Sequence, residues 1–599
     1  MADHFYASYH SFKENPSQSA AQSLVQYGVS VAQQSTDLLL KKDIYKKLIK
    51  LFPRDPSLYY YMGFALKDTH PEKALPYFQR SYDIEPRNIE NMIDLCNTLY
   101  HLDRADRVLQ LTFQPDFFKD HRFLILYAQS KIKEKQYHKC LEHLQTLVTY
   151  YTRNPPRTQK DRECHYSVWL NTGHMYLILG NHEKAVYYTE GAYDMSDTAV
   201  HSIDSFQNLL FMHVYTYFDH VSFFQRVKQI NGVIGVTPFT TPTPTPTPTW
   251  KKGTGTPIKL GYVSSDFTGH AVSNFILPML NHHDRKLFDI YLFANQKSAI
   301  PFEPTGNIIN IVDRTDEAVA NQIKDMGVDI LIDLNGHTAG SRIGIFAYQP
   351  APIQITYLGY PNTTGVQAIG YRITDAISDH PETKQLYSET LLRMKRCFLL
   401  FQSMAPPVVP RKTQSTVVLG AMNRENKNSD AVCAVWKRLL HLHPQTILLI
   451  KLDGTDTYQE RMEYYTKRFD VPSKRLLLMT RMDDAGYNKM YAMIDMVLDT
   501  FPYSGTTTTC SALHHSIPVV TMYHRDYHMH NVSGSILTNM GHPELVTHDL
   551  NGYEETIKEL IMNPRRVEEY KRTLRQDFLE LMNPTRFMTE YEELLSGLL

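Results

Sequence analysis

The sequence predicts an α-helical repeat domain followed by an α/β half that contains two lobes of parallel sheet. Three observations predict this fold class. A Thr/Pro tract interrupts the chain near residues 237–257, helical repeats precede the tract, and short β-branched runs alternate with helical stretches after it. With 599 residues, 42% of them hydrophobic and 21% charged, the chain has an ordinary globular composition. That length accommodates about three or four domains.

The residues before the tract repeat at the spacing of tetratricopeptide units, which are helix–turn–helix repeats of about 34 residues. Weaker copies begin near Tyr59 and Leu124, and the best copy consists of Trp169, Gly173, Tyr176, Gly180, Ala185 and Ala192. Stacked repeats form a superhelix whose groove typically binds polypeptide. We therefore expect residues 1–228 to form a repeat domain whose groove binds a protein or peptide partner. A generic helical bundle is the alternative interpretation.

Residues 229–257 are predicted to be an extended linker, because alternating proline blocks both helix formation and sheet pairing. Strand-like runs after the linker fall into two sets, which predict a first lobe at residues 258–405 and a second at 406–599. The first set is 258–263, 290–293, 308–312, 330–334, 353–358 and 371–374, and the second is 416–419, 446–451, 475–479, 495–498 and 518–522. Two doubly wound lobes that face each other place a ligand at the carboxyl ends of their strands.

Several function classes lose support. The first strand is not followed by G-x-G-x-x-G, and G-x-x-x-x-G-K-[ST] does not occur, which disfavours dehydrogenases and P-loop NTPases. A net charge of −1 gives no overall attraction to nucleic acid or membrane. No apolar run is long enough to span a bilayer, residues 1–13 are polar, and the six cysteines form no C-x-x-C pair. We expect a cytoplasmic or nuclear protein with no nucleic-acid or membrane partner.

Residues 498–510 read L-D-T-F-P-Y-S-G-T-T-T-T-C, which predicts a strand, a Gly turn and the start of a helix rich in hydroxyls. The first amides of a helix have no intrahelical partner, and the positive end of its dipole lies there. Thr506, Thr507 and Thr508 would add donors around a bound diphosphate. A capped helix without a ligand is an equally good interpretation of the threonines alone.

Polar clusters follow three other predicted strands. Asp266 and His270 lie in S-S-D-F-T-G-H, and Asn335 and His337 lie in D-L-N-G-H-T. Lys427 ends N-R-E-N-K, after the strand at 416–419. A histidine at a sheet's carboxyl edge suits acid–base work, and a lysine there suits a phosphate. Helix capping, packing and a solvated lysine are the alternatives.

Residues 523–530 read Y-H-R-D-Y-H-M-H. In a strand, His528 and His530 would point to opposite faces, and no carboxylate or cysteine set at zinc spacing accompanies them. We therefore predict no metal and expect a loop that lines the cleft.

The motifs together resemble the nucleocytoplasmic protein O-glycosyltransferases, which include the O-linked N-acetylglucosamine transferase and the plant SPINDLY O-fucosyltransferase. The motif text is closer to SPINDLY. The resemblance covers essentially the whole half after the linker and rests on motifs at residues 261–270, 333–338, 350–365, 371–375 and 498–510. It implies tetratricopeptide repeats followed by a two-lobed B-type glycosyltransferase domain. It also implies inverting transfer of a sugar, without metal or other cofactor, from a nucleotide diphosphate to Ser or Thr of a protein.

The resemblance also implies roles for individual residues. His270 matches the family's motif histidine, a general base or active-site organiser, and Lys427 matches the lysine that contacts the diphosphate. The segment of Thr506, Thr507 and Thr508 matches the one that holds the phosphates. Arg424, Tyr487 and Ser511 are further expected donor-binding residues. The residues expected to line the cleft are Asp266, Asn335, His337, Gly359, Pro361 and His530.

Three positions depart from the branch that transfers N-acetylglucosamine. Arg424 replaces a glutamine near the diphosphate, Tyr487 replaces a histidine that contacts the base, and Ser511 replaces an acidic residue that holds the ribose. The donors to consider are UDP-N-acetylglucosamine and GDP-fucose, with a slight preference for GDP-fucose. A catalytically impaired repeat scaffold and a transferase acting on a glycan or small molecule are the alternative functions.

Overall fold

A computed structural model describes residues 1–111, 117, 120–236, 255–267, 271–296, 307–403, 405–453, 458–480, 482 and 484–599. His270 and most of the Thr/Pro tract lie outside the described residues. The chain divides into two compact units, Met1–Thr172 and Gly173–Leu599. No described helix has both the length and the apolar character that a membrane crossing requires.

The first unit consists of antiparallel helices. Their bounds are α1 Ala2–Glu14, α2 Gln18–Gln34, α3 Leu38–Leu51, α4 Pro56–Leu66, α5 Pro71–Ile84, α6 Ile89–His101, α7 Ala105–Gln110, α8 His121–Lys133 and α9 Tyr137–Arg153. Helix α10, Gln159–Ile178, spans the division between the units. A Cβ on Gly63 of α4 would lie 2.9 Å from the ring of Phe78 on α5. Glycine thus allows the close helix contact that the repeat pattern predicts.

Further helices open the second unit. They are α11 His182–Asp194, α12 Ala199–Met212, the 3-10 turn His213–Tyr215, α13 His220–Val227 and α14 Ile230–Ile234. A Cβ on Gly173 would lie 2.3 Å from Thr189 Oγ1, so α10 and α11 also pack as a repeat pair. Helix α14 lies inside the predicted linker, and the division after Thr172 precedes the predicted end of the repeat domain. The reason is that residues of α11, α12 and α14 contact loops and α17 of the lobes in their own unit.

The first lobe is built on a seven-stranded parallel sheet in the order β3-β2-β1-β4-β5-β6-β7. The strands are β1 Ile258–Ser264, β2 Phe288–Ala294, β3 Asn307–Asn310, β4 Ile330–Asp333, β5 Ile353–Thr356, β6 Tyr371–Asp375 and β7 Thr390–Met394. The helices among them are α15 Ser273–His282, α16 Asp316–Asp325 and α17 Ile343–Ala347. Crossover connections of this kind bring the carboxyl ends of all the strands to one edge.

The second lobe has a six-stranded parallel sheet in the order β10-β9-β8-β11-β12-β13. The strands are β8 Val418–Ala421, β9 Ile447–Lys451, β10 Leu476–Met479, β11 Met496–Leu498, β12 Val519–Met522 and β13 Val546–Thr547. The helices are α18 Asp430–Leu442, α19 Tyr458–Phe469, α20 Asp484–Tyr491, α21 Thr507–His514, α22 His528–Asn539, α23 Leu550–Met562, α24 Pro564–Leu581 and α25 Pro584–Ser596. All strands stay parallel, but the order in which they are added reverses between β1 and β4 and between β8 and β11, the positions where ligands of doubly wound folds bind.

The two lobes share one hydrophobic core, and α25 returns to the first lobe. The hydroxyl of Tyr591 on α25 lies 3.2 Å from that of Tyr262 on β1. The neighbouring Glu592 carboxylate pairs with Nδ1 of His283 at 2.9 Å. Helix α25 therefore connects the second lobe to the first.

The predicted helical repeats and two parallel-sheet lobes are confirmed. Each strand-like run of the sequence corresponds to a strand, with ends shifted by one or two residues. Strands β7 and β13 were not predicted. β7 is a partly exposed edge strand that lacks the apolar run of its neighbours, and β13 is only two residues long.

Candidate functional site

Two loops meet at the carboxyl edge of the second sheet, one after β8 and one after β11. The buried carboxylate of Asp499 joins them. Its Oδ1 accepts from Asn423 Nδ2 at 2.8 Å and from the backbone amides of Thr500 at 2.9 Å and Gly505 at 2.8 Å. Strands β8 and β11 are neighbours in the sheet, which is why loops separated in sequence share this carboxylate.

Lys427 lies at this junction, at the end of the 3-10 turn Glu425–Lys427. Its Nζ donates to the carbonyl of Ser504 at 2.7 Å and lies 3.5 Å from the centroid of the Tyr503 ring. The pKa of Lys427 is lowered to about 7, mainly by burial and also by the nearby charge of Arg424, while Asp499 opposes the shift. The structure therefore brings Lys427 within two residues of Thr506, as the sequence predicts.

Helix α21 begins beside Lys427. Its N-cap residue, Thr506, provides no side-chain capping bond within the described chain, and Thr506, Thr507 and Thr508 are half-buried. The next hydroxyl, Thr509 Oγ1, instead bonds the buried Ser533 Oγ at 2.7 Å. The first turn therefore presents amides without a side-chain acceptor next to a lysine, which is the arrangement that binds anions.

Two further cations lie near Lys427. Arg424 is exposed and precedes the turn that carries Lys427. Lys451 ends β9, and burial lowers its pKa, with Arg424 lowering it further against the opposing charge of Asp453. Lys451 was not singled out from the sequence. The sequence signal that could have identified Lys451 is its position as the last residue of the predicted strand 446–451.

Tyr487 and Ser511 are connected to each other through Tyr491. The Tyr487 hydroxyl lies 3.1 Å from that of Tyr491, which also interacts with Ser511 and donates to the Thr508 carbonyl at 3.4 Å. The Nζ of Lys451 lies 5.3 Å from the centroid of the Tyr487 ring. The residues predicted to contact the base and the ribose are thus joined to the lysines and to α21.

The edge of the first sheet carries a separate hydrogen-bonded cluster. Asn335, after β4, donates through Nδ2 to Ser265 Oγ at 2.9 Å and to Asp266 Oδ2 at 3.0 Å, and accepts from the Ser265 amide at 3.0 Å. The buried Asp333 carboxylate holds the loop by accepting from the Gly336 amide at 2.9 Å. Asp266 and Asn335 therefore lie together, and His270, four residues after Asp266 in the sequence, lies outside the described residues.

His337 is buried rather than open to a cleft, because the loop that contains Gly359 and Pro361 covers it. Its Nε2 donates to the Thr364 carbonyl at 2.7 Å, and its Nδ1 has no partner among the described residues. Burial lowers the pKa of His337 to about 4, so the ring is neutral. Pro361 is buried, and a Cβ on Gly359 would lie 2.2 Å from the Leu334 carbonyl oxygen.

The expectation of a strand or cleft-lining loop for the histidine run is wrong at its end. Strand β12 already ends at Met522, and His528 and His530 both lie in α22. His530 is fully buried, where its ring stacks on Phe501 with centroids 6.2 Å apart. Burial lowers the pKa of His530 to about 4.

Known proteins resemble this chain in sequence and in structure. The profile of glycosyl transferase family 41 matches residues 241–416 and 409–580. A protein of Arabidopsis thaliana named probable UDP-N-acetylglucosamine–peptide N-acetylglucosaminyltransferase SPINDLY is 34% identical over 335 residues, which are 53% of this chain and 36% of the relative. The protein of that name from Hordeum vulgare is 35% identical over 336 residues, with the same coverage. The matched region is therefore little more than a third of the length of these relatives.

A solved structure of a mutant O-GlcNAc transferase from Thermobaculum terrenum superposes with a TM-score of 0.70. It is 22% identical and covers 88% of this chain and 97% of its own. This likeness concerns the fold, and it confirms the predicted class of helical repeats followed by a B-type glycosyltransferase domain.

Proposed function

The chain belongs to glycosyl transferase family 41, and on that basis we propose that it transfers a sugar from a nucleotide diphosphate to Ser or Thr of a protein. The observation that carries the proposal is the position of Lys427 beside the uncapped start of α21. A nucleotide sugar leaves as a diphosphate, so negative charge grows on the phosphate oxygens as the sugar departs. Cations and backbone amides fixed in place stabilise that charge without having to reorganise.

The residues around α21 suit a reaction without metal. Lys427, Arg424 and Lys451 supply positive charge, and the first amides of α21 supply donors. We propose that these groups replace the metal ion that would otherwise neutralise the leaving group, and that no other cofactor takes part. His270 remains the proposed base or organiser for the acceptor hydroxyl, and the repeat groove the proposed site for the protein acceptor.

The donor is UDP-N-acetylglucosamine or GDP-fucose. The curated relatives are named for the first donor, and the motif resemblance to a fucosyltransferase supports the second. Tyr487, whose ring lies near Lys451, and Ser511 are the side chains that we propose to face the nucleoside.

The test is a transfer assay with each labelled donor and a Ser/Thr-rich acceptor. We expect Lys427→Ala to lose about 2–4 kcal/mol of transition-state stabilisation, a roughly 30- to 900-fold fall in kcat/KM. Lys558→Ala is the matched control, because Lys558 is an exposed lysine of α23 paired with Glu555 at 3.0 Å. Transfer at full rate by Lys427→Ala would refute the assignment.

A second candidate function is a repeat scaffold with an impaired transferase domain. The observation behind it is Ser511, which stands where the resemblance implies a carboxylate on the ribose and which bonds more weakly to a hydroxyl. Calorimetry with UDP and GDP separates the two functions. Absence of binding at millimolar nucleotide would favour the scaffold.

A further inference from the structure

The loop that carries Lys427 is held from outside its own lobe. His182, the first residue of α11, donates from Nε2 to the carbonyl of Asn426 at 2.7 Å. The side chain of Asn426 donates from Nδ2 to the hydroxyl of Tyr215 at 3.0 Å. Both partners belong to the helical segment that precedes the first sheet, and they bind the backbone and the side chain of the residue next to Lys427.

Tyr215 also supports the ring on which Lys427 rests. The Tyr215 ring meets that of Tyr503 edge-on, with centroids 5.2 Å apart and planes at 80°. Tyr503 in turn has the Lys427 ammonium 3.5 Å from its centroid. Tyr215 is only 3% exposed, so its hydroxyl and its ring edge are fixed in position. The buried Tyr215 side chain therefore contacts both Asn426, the residue before Lys427, and Tyr503, the ring beside the Lys427 ammonium.

The protonation of His182 follows from its partner. A carbonyl oxygen only accepts, so Nε2 of His182 must carry a proton. Burial lowers the pKa of His182, and the bond to Asn426 opposes that shift. A neutral imidazole with its proton on Nε2 gives this contact, which therefore does not depend on a positive charge.

Other contacts tie the helical segment to the lobes elsewhere. Tyr527 donates to the Phe218 carbonyl at 2.8 Å, and Asn231 donates to the Gly365 carbonyl at 2.7 Å. Attachment of the helices thus does not depend on His182 and Tyr215 alone. What distinguishes the pair is that its contacts fall on Asn426 and Tyr503, the residues that flank Lys427.

We infer that His182 and Tyr215 are positioning residues for the diphosphate of the donor, which they serve through Asn426, Tyr503 and hence Lys427. The inference rests on the proposed function. A lysine side chain is long and flexible, and fixing it in one position costs rotamer entropy. Because the loop and the ring are already held in place, less entropy is lost when the donor binds, and the contact with phosphate is stronger. The helical segment that precedes the first sheet thereby contributes to donor binding through these contacts.

The test measures the affinity for UDP and GDP by calorimetry and the KM values for donor and acceptor in the transfer assay. We expect Tyr215→Phe and His182→Ala each to weaken diphosphate binding about tenfold and to raise the donor KM equally, with the acceptor KM unchanged. His182→Gln should restore most of the affinity, because its side-chain amide places a donor near the position of Nε2. Tyr527→Phe, the matched control, removes a tyrosine hydroxyl bonded to the Phe218 carbonyl, between the 3-10 turn and α13 and away from Lys427, and should bind as the wild type does.

The outcomes are distinct. If the wild-type protein binds neither nucleotide, the proposed function and this inference are both refuted. Wild-type binding that Tyr215→Phe and His182→Ala leave unchanged overturns the inference alone. Equal weakening by Tyr527→Phe also overturns it, because the effect would then come from general packing of the helices.

Discussion

At the scale of single residues, Lys427 is a cationic side chain in a buried site that favours its neutral form. Burial and the neighbouring Arg424 and Lys451 lower its pKa to about 7, and the carboxylate of Asp499 opposes them only in part. A doubly charged phosphate placed beside such a group favours the ammonium form. The unfavourable free energy of the buried charge in the free protein is then offset by its attraction to the phosphate in the complex.

This cluster predicts that binding of a nucleoside diphosphate takes up a proton. At pH 8, a lysine with a pKa of about 7 is about nine-tenths neutral. Binding raises the pKa, so close to one proton should be taken up, and affinity should fall as the pH rises from 7 to 9. Calorimetry at pH 8 in buffers of different ionisation enthalpy measures the uptake. Lys427→Arg keeps the charge at every pH and should show none, and equal uptake by both proteins would contradict the prediction.

Single residues were predictable where a sequence motif marks them. Lys427 and Thr506 follow predicted strands and match family motifs, and the structure brings them together. Lys451 and Asp499 matter through neighbours that only the order of strands reveals. His337 resembled a cleft histidine, yet the loop around Pro361 covers it, and no local pattern in the sequence shows that burial.

At the scale of elements, the turn between β11 and α21 leaves no room for a side chain at Gly505. A Cβ there would lie 2.6 Å from Thr509 Oγ1 and 3.1 Å from Asp499 Oδ1. Gly505→Ala should therefore destabilise the protein by about 1–3 kcal/mol and weaken nucleotide binding, because the loop must move. Urea unfolding and calorimetry measure the two effects.

Gly370→Ala is the control for that substitution, since no atom lies within 4 Å of the added Cβ. It should change the free energy of unfolding by less than about 1 kcal/mol. If Gly505→Ala were as stable as Gly370→Ala and bound nucleotide equally well, the close packing at this turn would have no role.

Among the elements, long apolar runs were predictable and short or polar ones were not. Strands β4 and β9, which read I-L-I-D and I-L-L-I-K, contain apolar runs, and such runs are recognisable without a structure. Helix α22 was missed because His528 and His530 interrupt its apolar pattern. The helix nevertheless forms, since the packing of Met529 and Ile536 in the interior decides the outcome.

At the scale of the whole second unit, a buried polar contact joins the two lobes. His528 Nδ1 on α22 donates to Asp379 Oδ2 at 2.8 Å, and Arg372 Nη2 lies 3.3 Å from His528 Nε2. Burial alone would raise the pKa of Asp379, but His528 and Arg372 hold it well below its usual range. The contribution of this carboxylate to stability is therefore present above about pH 4, the unfolded pKa, and is lost as the pH falls through the folded one.

Removal of His528 should leave Asp379 as a buried charge with a partner missing. We expect His528→Ala to lower the free energy of unfolding by about 3–5 kcal/mol at pH 7. His548→Ala, at an exposed histidine, should have little effect. Urea unfolding of both variants decides the matter, and a His528→Ala protein as stable as the control would show that the contact does not hold the lobes.

The division of the molecule was the least predictable feature of the fold. The Thr/Pro tract is conspicuous in the sequence, yet the compact units divide after Thr172. The reason lies in tertiary contacts, such as the bond from Asn231 on α14 to the Gly365 carbonyl. Such contacts between distant segments leave no periodic signal in the sequence.

The central claim is that Lys427 and the first turn of α21 hold the diphosphate of an activated sugar. A crystal structure of the protein soaked with UDP or GDP tests it most directly. We predict phosphate oxygens within hydrogen-bond distance of Lys427 Nζ and of the amides at residues 506–508. Phosphates bound elsewhere, with these groups left in contact only with protein, would contradict the account.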